Sequence, residues 1–151
     1  MENRRDTLRV LLDTSFILPS LGIGVGDEVS RSLKQLEGLN AEIYYSDFSI
    51  LESLWIAARL RLNGTKLARF REGLRSIIEG GRYRRAGMDD KTFSDALELY
   101  MSGHRDLIDN ILYACSVNLG LKLLTLDREL EEFIREEKLP ENLLPPSQLT
   151  R

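Results

Sequence analysis

Two short apolar runs in this chain end in an aspartate. Val10-Leu11-Leu12 leads into Asp13, and Leu123-Leu124-Thr125-Leu126 leads into Asp127. Both runs read as buried strands. Their aspartates would then stand at the carboxyl rim of one sheet, where open α/β sheets place their ligands. Asp106 and Asp109 are three apart on one expected helix and can share a face. That helix runs through Gly120 into the strand before Asp127, so its first turn should overhang the same rim. Glu52 falls in the second turn of another expected helix, beside Leu51, Ser53, Leu54 and Trp55, where a charge is conspicuous. Carboxylates brought within ~5 Å repel by roughly 3 kcal/mol per pair at an effective dielectric of 20, so protons or cations must compensate. A site built from oxygens alone suits Mg²⁺ or Mn²⁺. The chemistry such a site favours is metal-assisted hydrolysis of a phosphodiester. Thr14, Ser15 and Thr125 would then orient a carboxylate or a water. The competing reading makes Asp13, Asp106 and Asp127 helix N-caps and the hydroxyls caps or core groups.

The elements that must position these groups follow from periodicity. Residues 8–12, 42–45 and 121–126 read as strands, with 142–144 as a further edge strand. A short helix begins near Phe16 and is limited by Pro19. Residues 27–38 have helical spacing and end at Gly38. Ser46 and Asp47 carry N-cap chemistry for a helix through Leu60, with Ile50, Leu51, Leu54 and Ala58 on its apolar side. Further helices are expected around Leu67 to Ile78, around Phe93 to Tyr100, over 105–119 and over 128–137. Strands alternating with helices predict a three-layer α/β/α fold around a short central parallel sheet. The length predicts one domain, with its core over about 8–135, a basic helical insertion over about 59–89 and a tail over 136–151.

Composition narrows the classes. Hydrophobic residues make up 42% and charged residues 30%, a soluble balance. No stretch approaches the ~20 apolar residues that span a bilayer. Residues 1–6 are charged and lack the apolar core of a secretory leader. A single cysteine, Cys115, excludes an internal disulfide and points to a reducing cytoplasm. One His and one Cys exclude a zinc site built from those two types. Net charge is −3, but residues 59–85 hold nine basic and two acidic side chains, leaving −10 for the rest. This basic block is either a track for RNA phosphates, with Arg69, Arg82, Arg84 and Arg85 as contacts, or the solvated face of a helix. Tyr83 reads as core-facing, His104 as a loop residue, Cys115 as a buried small hydrophobe, and Trp55 as core or a dimer surface. Gly22, Gly24 and Gly26 match no nucleotide-binding pattern.

At the acidic residues the sequence resembles the PIN-domain family, in particular the small VapC-like ribonucleases of toxin–antitoxin systems. The resemblance rests on Leu11-Leu12-Asp13-Thr14-Ser15-Phe16-Ile17-Leu18, on Glu52 early in its helix, and on Asp109-Asn110-Ile111-Leu112-Tyr113-Ala114-Cys115. It is completed by Gly120-Leu121-Lys122-Leu123-Leu124-Thr125-Leu126-Asp127. It implies an endoribonuclease dependent on Mg²⁺ or Mn²⁺, with Asp13, Glu52, Asp109 and Asp127 in the metal site and Asp106 as an auxiliary. In that reading Asp13 and Asp109 are the principal ligands, Glu52 binds metal or orients the attacking water, and Asp127 completes the pocket. The resemblance also implies an RNA substrate, a homodimer and, for toxin members, a small antitoxin partner. The alternative is a PIN-like module that binds RNA or assembles with partners without useful catalysis. A phosphoacceptor of the receiver type is disfavoured, because Asp13 has no acidic neighbour and Lys122 opens its strand. Asp-x-Asp phosphatase chemistry is excluded by Ser15.

Overall fold

The central strand shows how the chain uses its apolar residues. In β1 (Arg9–Leu12) the side chains of Val10 and Leu12 enter one apolar cluster and that of Leu11 enters another, all three fully buried. The alternation is the period of two of an extended strand, with both faces covered. The computed structural model describes residues 7–149; the charged residues 1–6, read above for a leader, lie outside them.

After β1 come α1 (Thr14–Ile17), a 3₁₀ turn (Leu18–Leu21) and α2 (Asp27–Gly38). Then follow β2 (Glu42–Tyr45), α3 (Asp47–Leu60), α4 (Gly64–Ile78) and β3 (Arg84–Arg85). The second half is α5 (Asp90–Met101), α6 (Leu107–Leu119), β4 (Lys122–Leu124), α7 (Arg128–Glu136), β5 (Leu143–Leu144) and a closing 3₁₀ turn (Pro146–Leu149). The five strands form one sheet in the order β3-β2-β1-β4-β5, and every pairing is parallel. One face is covered by α1, α2 and α4 through Phe16, Ile17, Val29, Leu36, Phe70 and Ile77. The other is covered by α5, α6 and α7 through Leu99, Leu112, Cys115, Leu130 and Ile134. The expected three-layer α/β/α architecture is therefore present. Among the described residues no helix is long and apolar enough to cross a membrane.

Several expectations need correction in detail. The strand expected over 121–126 stops at Leu124, because the Thr125 hydroxyl accepts the Asp127 N–H at 3.0 Å and turns the chain away from the ladder. The helix expected from 105 begins at Leu107, with Asp106 as its cap. The apolar side assigned to α3 is largely inverted: Leu51, Leu54 and Ala58 face solvent, while Ser49 and Ser53 are fully buried. The small serines let α3 lie close to α1, and Ser53 satisfies its hydroxyl by donating to Ser49 O at 2.8 Å. Trp55 is 54% exposed, so it is not core. Phe93 and Leu97 on α5 and Ile78 on α4 also lie outside the core. The basic segment after α4 returns to the sheet as β3 alongside β2. Beyond α7, β5 pairs with β4, and the closing turn packs against α2.

Candidate metal centre

β1 and β4 are neighbours, and Leu12 lies opposite Leu124, so Asp13 and Thr125 leave the sheet side by side. From β1 the chain goes to β2 on one side, whereas β4 lies on the other. Adjacent strands whose connections diverge leave a crevice at their carboxyl ends. A cleft of about 340 Å³ opens there. It is lined by Asp13, Glu52, Asp106, Asp109 and Asp127, together with Thr14, Ser15, Leu18, Ile56 and Leu126.

Each acid is held by local structure. Asp13 caps α1, its Oδ1 accepting the Ser15 N–H at 3.0 Å. The Thr125 hydroxyl hydrogen-bonds Asp13 while accepting from the Asp127 amide, so one side chain ties the two strand ends together. Asp127 caps α7 through Leu130 N–H at 3.1 Å. Asp106 caps α6 through Asp109 N–H at 3.0 Å. Glu52 is held by the Thr14 hydroxyl, which donates to its Oε1. Capping and convergence, set against each other in the sequence reading, occur together. Each capping carboxylate gives one oxygen to a helix N–H and still lines the cleft. The amino-terminal ends of α6 and α7 temper the negative charge gathered there.

That tempering is incomplete. Burial raises the Asp13 carboxyl to about 6; Glu52 and Asp127 add to the rise, and the bonds from Thr125 and Ser15 N–H oppose it. Asp109 is pushed far above the carboxylate range, first by burial and then because it keeps a proton to donate to Asp127. Asp106, Asp127 and Asp13 repel its charged form further. The cleft cannot ionise all its carboxyls at neutral pH without a cation, and carboxylates crowded at strand ends fit a hard dication.

Sequence reasoning favoured a loop residue over a ligand for one further residue that lies against the acids. His104, read as a loop residue, is only 9% exposed. One of its ring nitrogens lies with a carboxylate oxygen of Asp109 and one of Asp127 in a group whose members are all within 4.8 Å of each other. Asp13 and Glu52 line the cleft without joining that group. The available signal was a histidine two residues before the helix cap at Asp106, with a polar Asn110 on the helix behind it.

The arginines assigned to RNA lie elsewhere. Arg69 packs its stem against Gly22, and Arg82 stacks on Tyr83. Arg84 pairs with Glu42 at 3.7 Å, and Arg85 pairs with Asp47. None of the four lines the acidic cleft. Beyond Asp127 a wider groove of about 580 Å³ brings Arg128 and Arg135 to the site's edge, residues the sequence reading did not single out.

The PIN-domain family model matches residues 10–135. No curated protein matches the chain in sequence. Solved structures share its fold at low identity. A toxin–antitoxin complex from Klebsiella pneumoniae is 15% identical, with a TM-score of 0.60 over 91% of this chain and 97% of that one. VapBC2 from Rickettsia felis, bound to a DNA fragment from its promoter, is 15% identical, with a TM-score of 0.62 over 91% and 97%. FitAcB from Neisseria gonorrhoeae is 20% identical, with a TM-score of 0.60 over 91% and 98%. A cleft of converging carboxylates at the β1/β4 rim, inside the span that the family model matches, leads to one conclusion: the chain belongs to the PIN-domain family.

Proposed function

We propose that this protein is a Mg²⁺- or Mn²⁺-dependent endoribonuclease of the VapC-like kind. The observation that carries the reading is the meeting of Asp13, Glu52, Asp109 and Asp127 in one cleft. Asp13 and Asp109 would hold the dication as principal ligands, with Asp127 completing the negative pocket. When bound, the dication supplies charge to offset the phosphate and to acidify a water. The chain's own residues do the rest. Thr14 fixes the Glu52 carboxylate, which then orients the attacking water or takes its proton. Thr125 fixes Asp13 against Asp127, and Ser15 lies at the mouth of the cleft. Asp106 acts as an auxiliary that keeps Asp109 in its proton-holding state. Substrate phosphates would be drawn along the groove past Arg128; Arg135, Arg84 and Arg85 are already paired with Glu131, Glu42 and Asp47 and contribute less.

The partner reading rests on α3 and α5. Leu51, Leu54 and Trp55 are exposed on α3, and Phe93, Leu97 and Met101 are exposed on α5. Phe48 and Phe93 touch edge to face, with ring centroids 5.6 Å apart, and join the two patches. Exposed apolar side chains gathered on two helices in contact mark a protein contact. We assign it to a homodimer, with a small antitoxin as the second partner. Sedimentation of Trp55→Glu should convert dimer to monomer, and a wild-type monomer at all concentrations would remove the homodimer. A cytoplasmic setting is consistent with the buried, unpaired Cys115.

Calorimetric titration of Mn²⁺ into wild type and Asp13→Asn, followed by RNA cleavage with both, tests the catalytic reading. Binding and cleavage should be lost together in the variant. Cleavage that persists in Asp13→Asn refutes the assignment. RNA affinity that survives EDTA without any metal binding would identify a non-catalytic RNA-binding module.

A further inference from the structure

Asn110 is fully buried behind the metal centre, and its amide orientation is fixed by two donations. Its Nδ2 donates to His104 O at 2.7 Å and to Ala96 O at 3.5 Å. Its Oδ1 must therefore accept, and the group 2.7 Å away is His104 Nδ1. This makes Nδ1 the donor to Asn110 and leaves Nε2 without a hydrogen-bond partner among the described residues. The ring is held from behind by Asn110 and from the side by Phe133, at a centroid distance of 5.4 Å. A buried imidazole that donates one N–H to an anchored oxygen and keeps the other nitrogen as a lone pair is the usual state of a metal-ligating histidine. Its neighbours in the 4.8 Å group are the Asp109 and Asp127 carboxylates, near enough for one dication to draw the three together.

We propose that His104 is a nitrogen ligand of the metal centre, forming with Asp109 and Asp127 a mixed imidazole–carboxylate position that takes Mn²⁺ in preference to Mg²⁺. The inference rests on the metal-centre reading above and adds the ligand that sets metal choice. Imidazole adds affinity for first-row transition dications, whereas Mg²⁺ prefers oxygen ligands and retains its waters. The chain has one histidine, so an imidazole signal from tag-free protein can come only from His104.

The test is electron spin-echo modulation on the Mn²⁺-loaded wild-type protein. A ¹⁴N coupling from one imidazole is expected, and it should vanish in His104→Gln. In calorimetry the same variant should weaken Mn²⁺ about tenfold or more while weakening Mg²⁺ by less than about threefold. Mn²⁺ bound without an imidazole coupling overturns the role of His104 and leaves a centre made of carboxylates alone. Absence of Mn²⁺ binding overturns both. The wild-type spectrum decides the matter even where the variant folds poorly.

Discussion

Replacing Asp13 by Asn should make the metal-free protein more stable at neutral pH while removing its metal chemistry. Burial and the neighbouring Glu52 and Asp127 raise Asp13 from 3.8 to about 6 in the folded protein. Between those values the folded state binds more protons than the unfolded one, so stability falls as pH rises through the window. The charged form then costs the folded protein roughly 3 kcal/mol above pH 6 and nothing below pH 4. Asn removes that cost. It also keeps the cap, since its Oδ1 accepts the Ser15 N–H as Asp does. For a chain of this size the relief corresponds to a rise in Tm of up to roughly 6–12 °C. The assay is thermal melting in EDTA at pH 8 and pH 4. The variant should melt higher at pH 8, and the gap should close at pH 4. With Mn²⁺ at about a hundredfold excess over its Kd, the wild type should gain about 2.7 kcal/mol and the variant little, which narrows or reverses the order. A variant no more stable than wild type in EDTA at pH 8 refutes the argument. So does a gap that persists unchanged at pH 4.

Substitutions at three further positions separate charge, capping and packing. Asp106→Asn should leave stability nearly unchanged, whereas Asp106→Ala should lose the α6 cap and about 1 kcal/mol, read by denaturant melts. Both remove a charge that raises Asp109, so Mn²⁺ binding followed against pH should reach half-saturation at lower pH in each. Thr125→Val leaves the Asp127 amide without its acceptor and Asp13 without a bond that lowers it; a stability loss of about 1–3 kcal/mol and a rise in the pH needed for Mn²⁺ binding are expected. Gly73→Ala would set a Cβ 2.2 Å from Ser20 O, where α4 crosses the turn after α1. The backbone there must shift, at a cost of about 1–3 kcal/mol visible in thermal melts.

How legible the site was in the sequence depended on what positioned each group. Asp13 and Asp127 were readable because an apolar run followed by an acid fixes both strand and rim, whatever the helices do. Glu52 and Asp109 were readable through the helices next to those strands. His104 was not. Its role comes from a tertiary pairing with Asn110 and from burial beneath α7, neither of which has a periodic signature. The face of α3 was misread because periodicity reports where apolar residues repeat and cannot say whether a core or a partner covers them. Ser49 and Ser53 repeat at the same helical spacing, and close approach to α1 selected them for burial. The basic residues 82–89 were readable as a loop or edge, but not the ion pairs with Glu42 and Asp47 beside which β3 seats Arg84 and Arg85.

The acids of the cleft also show why capping and metal binding need not be alternatives. A carboxylate has two oxygens, and an N-cap consumes one. Capping fixes the side chain's rotamer without a metal, so the second oxygen is already aimed when an ion arrives, and little ordering entropy remains to be lost. Three of the acids here, Asp13, Asp106 and Asp127, are fixed in this way. Asp109 is fixed by its proton to Asp127 instead. That proton must leave on binding, so metal uptake by this cleft should release protons and strengthen with pH. Calorimetry in two buffers of different ionisation enthalpy would read that release directly. Titrations that give the same enthalpy in both buffers would mean that Asp109 is already ionised in the free protein.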